Sequence, residues 1–127
     1  MSLIKGIHHV ALKCCGREEY EKALGFYRDV LGLEIARSWE AGTMFTTGAG
    51  LIEIFNNADE QLPQGVVRHF ALATDNVDAC ADAVSKAGYT VFMGPKDIAI
   101  PSEPPFPARI AFCTGPIGEE IEFFQER

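Results

Sequence analysis

The sequence predicts an α+β fold built from two βαβββ units, and three observations lead to this prediction. Short apolar segments typical of strands surround a helical pattern in the same order twice along the chain. The segment H-V-A-L at His9 matches H-F-A-L at His69, and L-I-E-I-F at Glu53 matches E-I-E-F-F at Glu122. One unit could not cover its own sheet, so residues 1–127 are expected to form a single domain of two repeats, about 5–58 and 66–126.

The first repeat begins with IHHVALKCC, a short apolar segment that predicts a strand. A helix should follow, because apolar residues then recur at spacings of three and four: Tyr20, Ala23, Leu24, Tyr27 and Leu31. Gly32 is a suitable end for this helix. Three strands are predicted over 33–39, 43–47 and 51–55, separated by turns at 40–42 and 48–50.

The second repeat follows the same plan, with a strand over 66–74 and a helix capped by Asp75 or Asn76 and ended by Gly88. Strands are then predicted over 89–93, 108–114 and 119–125. Between them lies the proline-rich segment 94–107, which makes the histidine-to-glutamate spacing longer than in the first repeat. Because proline is poorly tolerated inside a sheet, this segment is interpreted as a long loop, either a lid or a rigid surface loop.

Composition narrows the class of protein. The 127 residues are 47% hydrophobic and 23% charged, as in globular domains, and the net charge of -7 argues against nucleic acid as a partner. No apolar run approaches the roughly 20 residues of a membrane helix, and the N-terminal segment lacks the features of a secretory signal. A cytoplasmic protein is expected. The four cysteines form no C-x-x-C pair and are interpreted as reduced core residues.

Strand parity predicts where the histidines point. Successive side chains alternate between the faces of a strand, so His9 shares a face with Ala11 and Lys13. His69 likewise shares its face with two alanines. The bulkier apolar side chains should lie under the helices, which leaves each histidine on the open face, where small neighbours give room for a ligand. His8 is the rival of His9, but parity places it on the helix side.

The glutamates obey the same rule. Each is flanked by two large apolar residues, so Glu53 and Glu122 should face away from the helices, toward the histidines. An unpaired carboxylate that is desolvated there costs several kcal/mol, which a bound cation would relieve. Two imidazoles and two carboxylates suit one divalent Zn, Ni, Co, Fe or Mn ion. A single strand histidine is more often a hydrogen-bonded core residue, so the prediction rests on all four residues together.

With these motifs the sequence resembles the vicinal oxygen chelate superfamily. This superfamily groups glyoxalase I, extradiol dioxygenases, bleomycin and fosfomycin resistance proteins, and methylmalonyl-CoA epimerase. The matching stretches are IHHVAL, FYRDVLGLE, LIEIF, RHFALATDNV and GPIGEEIEFFQ, which together span nearly the whole chain. The resemblance implies a cupped mixed sheet around a metal, with helices on its outer face.

The resemblance also implies the site. Metal ligands fall on His9, Glu53, His69 and Glu122, a set closest to that of glyoxalase I (lactoylglutathione lyase). The family commonly forms homodimers, and in the bacterial glyoxalase I type the site is shared between subunits. Lys13 stands where glyoxalase I typically has an arginine for glutathione, and Asn57 matches a glutathione-contacting asparagine. Phe55 and Phe124 share parity with the glutamates and are the candidate pocket aromatics.

Three functions follow as hypotheses, all with a small-molecule substrate or ligand. The first is a glyoxalase I-like lyase or isomerase that transfers a proton next to a carbonyl through a metal-bound enediolate. Glu122 or Glu53 would be the base, and family analogy favours Glu122. The second is a non-catalytic binding protein of the bleomycin resistance kind. The third, less favoured, is an Fe(II) ring-cleaving dioxygenase, which typically uses two histidines and one glutamate.

Overall fold

The structure, a computed structural model, describes residue 2, residues 5–65 and residues 67–127. The chain divides into two compact units, Met1–Leu62 and Pro63–Arg127. The division falls in the segment between the two predicted repeats. Each unit contains one four-stranded mixed sheet and one helical segment, so the predicted α+β class and the βαβββ order are confirmed. Within the described ranges, no helix is long and apolar enough to cross a membrane.

The first unit has the strand order β1-β4-β3-β2, with β1 parallel to β4 and the other pairs antiparallel. Its elements are β1 (His9–Lys13), α1 (Gly16–Gly25) with a π-helical turn (Phe26–Val30), β2 (Glu34–Trp39), β3 (Gly42–Thr46) and β4 (Leu51–Phe55). In the helical segment Ala23, Phe26 and Tyr27 are buried, and the ring centroids of Tyr27 and Phe45 lie 6.0 Å apart. Burying a large apolar side chain of this kind contributes about 1.5–3 kcal/mol.

The second unit repeats this arrangement with the order β5-β8-β7-β6. Its elements are β5 (Phe70–Ala73), α2 (Val77–Lys86), β6 (Val91–Ile100), β7 (Phe106–Thr114) and β8 (Glu120–Glu126). Of the two predicted caps, Asn76 is the one used, because its side chain accepts a hydrogen bond from the Ala79 amide at 3.0 Å. The described strand β5 is shorter than the predicted 66–74, and Val66 lies outside the described residues.

The interpretation of 94–107 as a long loop is wrong. Strand β6 continues to Ile100 and β7 begins at Phe106, so the segment is an extended hairpin whose loop covers only 101–105. Strand β6 is the edge of its sheet, where a missing proline N–H is tolerated, and Pro95 lies at a register shift between Met93 and Lys96. Gly94 is needed at this shift, because a Cβ there would approach the Ile110 carbonyl oxygen to 2.5 Å.

The parity of β1 and β5 agrees with the sequence. Val10 and Leu12 are half-buried, while the intervening Ala11 and Lys13 are exposed, and β5 shows the same alternation. The placement of His8 differs from the prediction, because it precedes β1 and is exposed rather than covered by the helix. None of the four cysteines is in a disulfide, and only Cys14 and Cys113 are fully buried.

Candidate metal centre

In the first unit, one histidine and one glutamate meet on the sheet face opposite the helix. Adjacent parallel strands β1 and β4 carry them, and Nε2 of His9 lies 3.5 Å from Oε1 of Glu53. The apolar neighbours Ile52 and Ile54 point to the other face and are buried. Nδ1 of His9 lies 2.9 Å from Nδ1 of His8. This contact leaves Nε2 as the nitrogen that faces the carboxylate.

The second unit contains a matching pair. Nε2 of His69 lies 3.3 Å from Oε1 of Glu122, which β8 carries next to β5. Here the imidazole is held differently, because its ring packs edge-on against Phe112, with ring centroids 5.1 Å apart. Strand pairing places Phe112 directly opposite Glu122. One pair is therefore supported by a second imidazole and the other by an aromatic ring.

The two pairs have nearly the same exposure and geometry. The histidine side chains are 38% and 41% exposed, whereas the glutamate side chains are only 10% and 11% exposed. A charge-assisted hydrogen bond is about 2.7–2.9 Å long, so both contacts are too long to be strong ones. Two ligand atoms at about 2.1 Å from a tetrahedral ion stand about 3.4 Å apart. Each pair is thus spaced as two ligands of one transition-metal ion would be.

The electrostatics of Glu122 support this chemistry. Burial raises the pKa of the Glu122 carboxyl above its ordinary value, and the neighbouring His69 opposes that shift only in part. In the metal-free protein this carboxylate is therefore incompletely compensated. A divalent cation would supply the missing positive charge.

Each unit by itself offers two ligands. Among the residues that the structure describes, no group of three or more histidine, cysteine, aspartate or glutamate side chains is clustered tightly enough to hold a metal ion.

Of the other predicted site residues, Lys13, Phe55 and Phe124 lie on the faces that carry these pairs. Lys13 ends β1 and pairs in register with Phe55, which is half-buried and in ring contact with Trp39 at 6.0 Å. Asn57 is exposed and its backbone forms an isolated bridge with Cys15. In the second unit, Phe124 is half-buried, and its ring centroid lies 5.9 Å from that of Phe106.

The sequence argument missed several residues on the glutamate faces. In the first unit, register places Met44 opposite Glu53 and Arg37 opposite Met44, and the guanidinium Nη1 of Arg37 lies 3.0 Å from the Met44 sulfur. In the second unit, Phe112 contacts both His69 and Phe92. Met44, Phe92 and Phe112 gave no signal, since aromatic and methionine residues in strands are usually core, and a single strand arginine is usually a solvated surface charge. Only the pairing of distant strands reveals them.

Comparisons with known proteins agree with this architecture. Residues 6–123 match the model of the Glyoxalase/Bleomycin resistance protein/Dioxygenase superfamily. No curated protein was found to match the chain.

Several solved structures share the fold. A glyoxalase family protein from Bacillus anthracis has a TM-score of 0.73 at 24% identity, with 100% of this chain and 99% of that chain covered. TnmS3, an antibiotic binding protein from a Streptomyces species, has a TM-score of 0.71 at 23% identity, with both chains fully covered (100%). A glyoxalase/bleomycin resistance protein/dioxygenase from Alicyclobacillus acidocaldarius has a TM-score of 0.69 at 14% identity, with 95% of this chain and 91% of that chain covered. At these identities the neighbours show the fold alone, whereas the family match spans nearly the whole sequence. The chain belongs to the glyoxalase/bleomycin resistance protein/dioxygenase superfamily.

Proposed function

We propose that the protein is a metal-dependent enzyme of the glyoxalase I type, which transfers a proton next to a carbonyl group. The observation that carries the proposal is the pair of matching half-sites, each with an imidazole nitrogen 3.3–3.5 Å from a buried carboxylate oxygen. A single histidine–glutamate contact of this kind could be an ordinary ion pair. Two copies at corresponding repeat positions favour a shared ligand.

The residues proposed to hold one divalent Zn, Ni, Co, Fe or Mn ion are His9, Glu53, His69 and Glu122. A homodimer is part of the proposal. Such an ion, when bound, acts as a Lewis acid that stabilises negative charge on a substrate oxygen.

The proposed base is Glu122, with Glu53 as the alternative. Family analogy favours Glu122, and in the metal-free protein burial raises the pKa of its carboxyl. It would accept the proton from the carbon next to the carbonyl and return it to the neighbouring carbon. Lys13, Phe55 and Phe124 are proposed to bind the substrate, since they lie on the faces that carry the glutamates. Asn57 is proposed from the family resemblance.

The test begins with the metal content of protein purified without chelators. We expect about one transition-metal ion per chain, and metal-loaded protein should turn over thiol hemiacetals of methylglyoxal or other 2-hydroxycarbonyl compounds. A folded protein that binds metal but turns over none of these compounds would overturn the proposed reaction. Oxygen uptake with catechols would point instead to a ring-cleaving dioxygenase.

A second candidate is a protein that sequesters a small molecule without reaction. It is favoured by the similarity in fold to TnmS3, an antibiotic binding protein, and by ring contacts on the glutamate face, such as Phe92 with Phe112. Undiminished ligand binding by metal-free protein, together with a metal content near zero as purified, would favour this function over the enzyme.

A further inference from the structure

The basic side chains of this chain fall into two groups, those that form ion pairs and those that do not. Six arginine and lysine side chains form ion pairs with aspartate or glutamate: Arg17, Lys22, Arg28, Lys86, Arg109 and Arg127. They belong to the helices, to the helix side of β7 and to the end of the chain. Among the described residues, no carboxylate forms an ion pair with Arg37 or Lys13, which lie on the glutamate face of the first unit. Lys5, Arg68 and Lys96 also form no ion pair with a described carboxylate, so Arg37 is distinguished by its position in the sheet.

Strand register places Arg37 in line with the candidate metal ligand. Met44 lies between Arg37 and Glu53 on three adjacent strands, so the two outer Cα atoms are about 10 Å apart. The guanidinium contacts the Met44 sulfur at 3.0 Å, and thioether sulfur is a weak acceptor. Most of the guanidinium donors of Arg37 therefore remain available to a ligand that reaches Glu53.

Arg109 in the second unit is an example of an arginine whose guanidinium is paired with carboxylates. Its guanidinium forms a bidentate pair with Asp78 at 2.7 and 2.8 Å and also contacts Asp97 at 3.3 Å. Arg37 has no equivalent partner among the described residues, although its exposed position would allow one. A ligand carboxylate would complete the same fork-to-fork geometry.

Two aromatic side chains lie in the next row of paired residues on the same face of the sheet. Trp39 pairs in register with Gly42, which pairs with Phe55. A Cβ on Gly42 would approach the Trp39 ring to 3.0 Å, so the indole lies over this glycine, edge-on to the Phe55 ring. Trp39 is 39% exposed and leaves ring surface open to a ligand. This aromatic surface favours a planar substituent on the ligand, because aromatic rings pack well edge-on or offset.

We infer that Arg37 and the Trp39–Phe55 pair form a subsite beside Glu53 for an organic acid that carries an aromatic group. The ligand carboxylate binds the Arg37 fork and the ring rests on Trp39 and Phe55. The inference deepens the proposed function by naming a substrate class, and it rests on that function only in placing the ligand's reacting oxygens at Glu53.

The test uses Trp39 fluorescence, since this is the one tryptophan of the sequence. Three probes separate the contributions: mandelate has the ring and the carboxylate, 1-phenyl-1,2-ethanediol has the ring alone, and lactate has the carboxylate alone. Mandelate should change the emission and bind about tenfold more tightly than the diol, as loss of one charge-assisted fork predicts. It should also bind more tightly than lactate, which lacks the ring. Equal affinity for mandelate and the diol would overturn the inference.

Matched variants complete the experiment on the full-length protein. Arg37→Gln should weaken mandelate binding about tenfold, to the level of the diol, and Arg37→Lys should weaken it less, because charge remains while the fork is lost. Arg17→Gln removes an exposed charge from α1 and should leave binding unchanged. Wild-type affinity in Arg37→Gln would contradict the inference, and an unchanged thermal unfolding curve will show that the variant is folded.

The ring contribution is tested by calorimetry, because Trp39→Leu removes the fluorescent probe. This variant should bind mandelate more weakly, whereas Ile35→Ala, also exposed on β2, should not. Equal binding by both variants would contradict the role of the indole.

Metal titrations of the same samples separate the two proposals. If the protein binds metal but its affinity for mandelate does not change when Arg37 is replaced, the subsite is refuted and the proposed enzyme is not. Arg37-dependent mandelate binding by a protein that takes up no metal would refute the proposed enzyme and leave the subsite standing.

Discussion

The two units carry the same histidine–glutamate pair in different surroundings. In the first, His9 contacts a neighbouring imidazole, and the glutamate face also carries Arg37 with no carboxylate partner in the described chain. In the second, His69 packs on Phe112, and the arginine of β7 lies on the helix side, where aspartates neutralise it.

The comparison shows that both units repeat the histidine–glutamate pair, whereas the side chains around the pair differ. The strand positions that set the pair recur, so the separations of 3.5 and 3.3 Å and the burial of the two glutamates agree closely. The neighbouring rows recur in backbone register but not in side-chain type. The first unit therefore offers Arg37, Lys13 and an indole to a ligand. The second offers a series of phenyl rings, with Lys96 in the row of Phe124.

The largest expected effect tests whether the two pairs hold one ion. His9→Ala and His69→Ala should each lower metal affinity by about 100-fold or more, and by similar factors, because each removes one ligand of the same site. Competition titrations with zinc will measure this, with Glu126→Gln as a control for charge loss in β8. If one variant keeps wild-type affinity, the pairs do not share an ion.

A smaller effect tests the different supports of the two histidines. His8→Ala should lower metal affinity by about tenfold, because the Nδ1 contact that orients His9 is lost. The matched change in the second unit, Phe112→Leu, should cost less, since an aliphatic side chain still fills the space beside His69. Nitrogen NMR of the metal-free protein should show a changed tautomer balance at His9 in the first variant. An unchanged balance and affinity would exclude the orienting role of His8.

In the second unit the ion pairs of Arg109 with two aspartates should stabilise the folded state, whereas the isolated ion pairs of the first unit should contribute little. Arg109→Met breaks contacts to Asp78 and Asp97, which lie on α2 and on β6. It should lower the urea midpoint clearly more than Arg17→Met, whose single exposed i,i+4 pair is worth little. Added salt should narrow the difference between the variants. Equal midpoints at low salt would show that the network is not stabilising.

The smallest effect concerns the pH dependence of the metal-free protein. Burial raises the pKa of Glu122 in the folded state above the ordinary 4.5, so the native state holds this proton more tightly than the unfolded state does. The stability contributed by the proton is complete below about 4.5 and is lost as pH rises through the raised pKa. Glu122→Gln should therefore gain stability relative to the wild type as pH rises, measured by urea unfolding at several pH values. A gain of the same size in Glu126→Gln would show a general charge effect instead.

Part of the site could be predicted from local patterns. Alternation along one strand is a property of neighbouring residues, so the open faces of β1 and β5 were predictable, as was the order of elements in both repeats. The extent of β6 was not, because the prolines of 94–107 suggested a loop. Because β6 lies at the edge of the sheet, a proline there need not cost a hydrogen bond to a neighbouring strand.

The sequence by itself determined the two repeats, the helix positions and the facing of Glu53 and Glu122 away from their apolar neighbours, because periodicity and parity are local. The tertiary structure decided which side chains stand beside those glutamates. Register between strands far apart in the chain places Arg37 and Met44 in line with Glu53, and Phe112 opposite Glu122. Backbone hydrogen bonds between strands set that register, and a shift of one residue would turn each of these side chains to the other face.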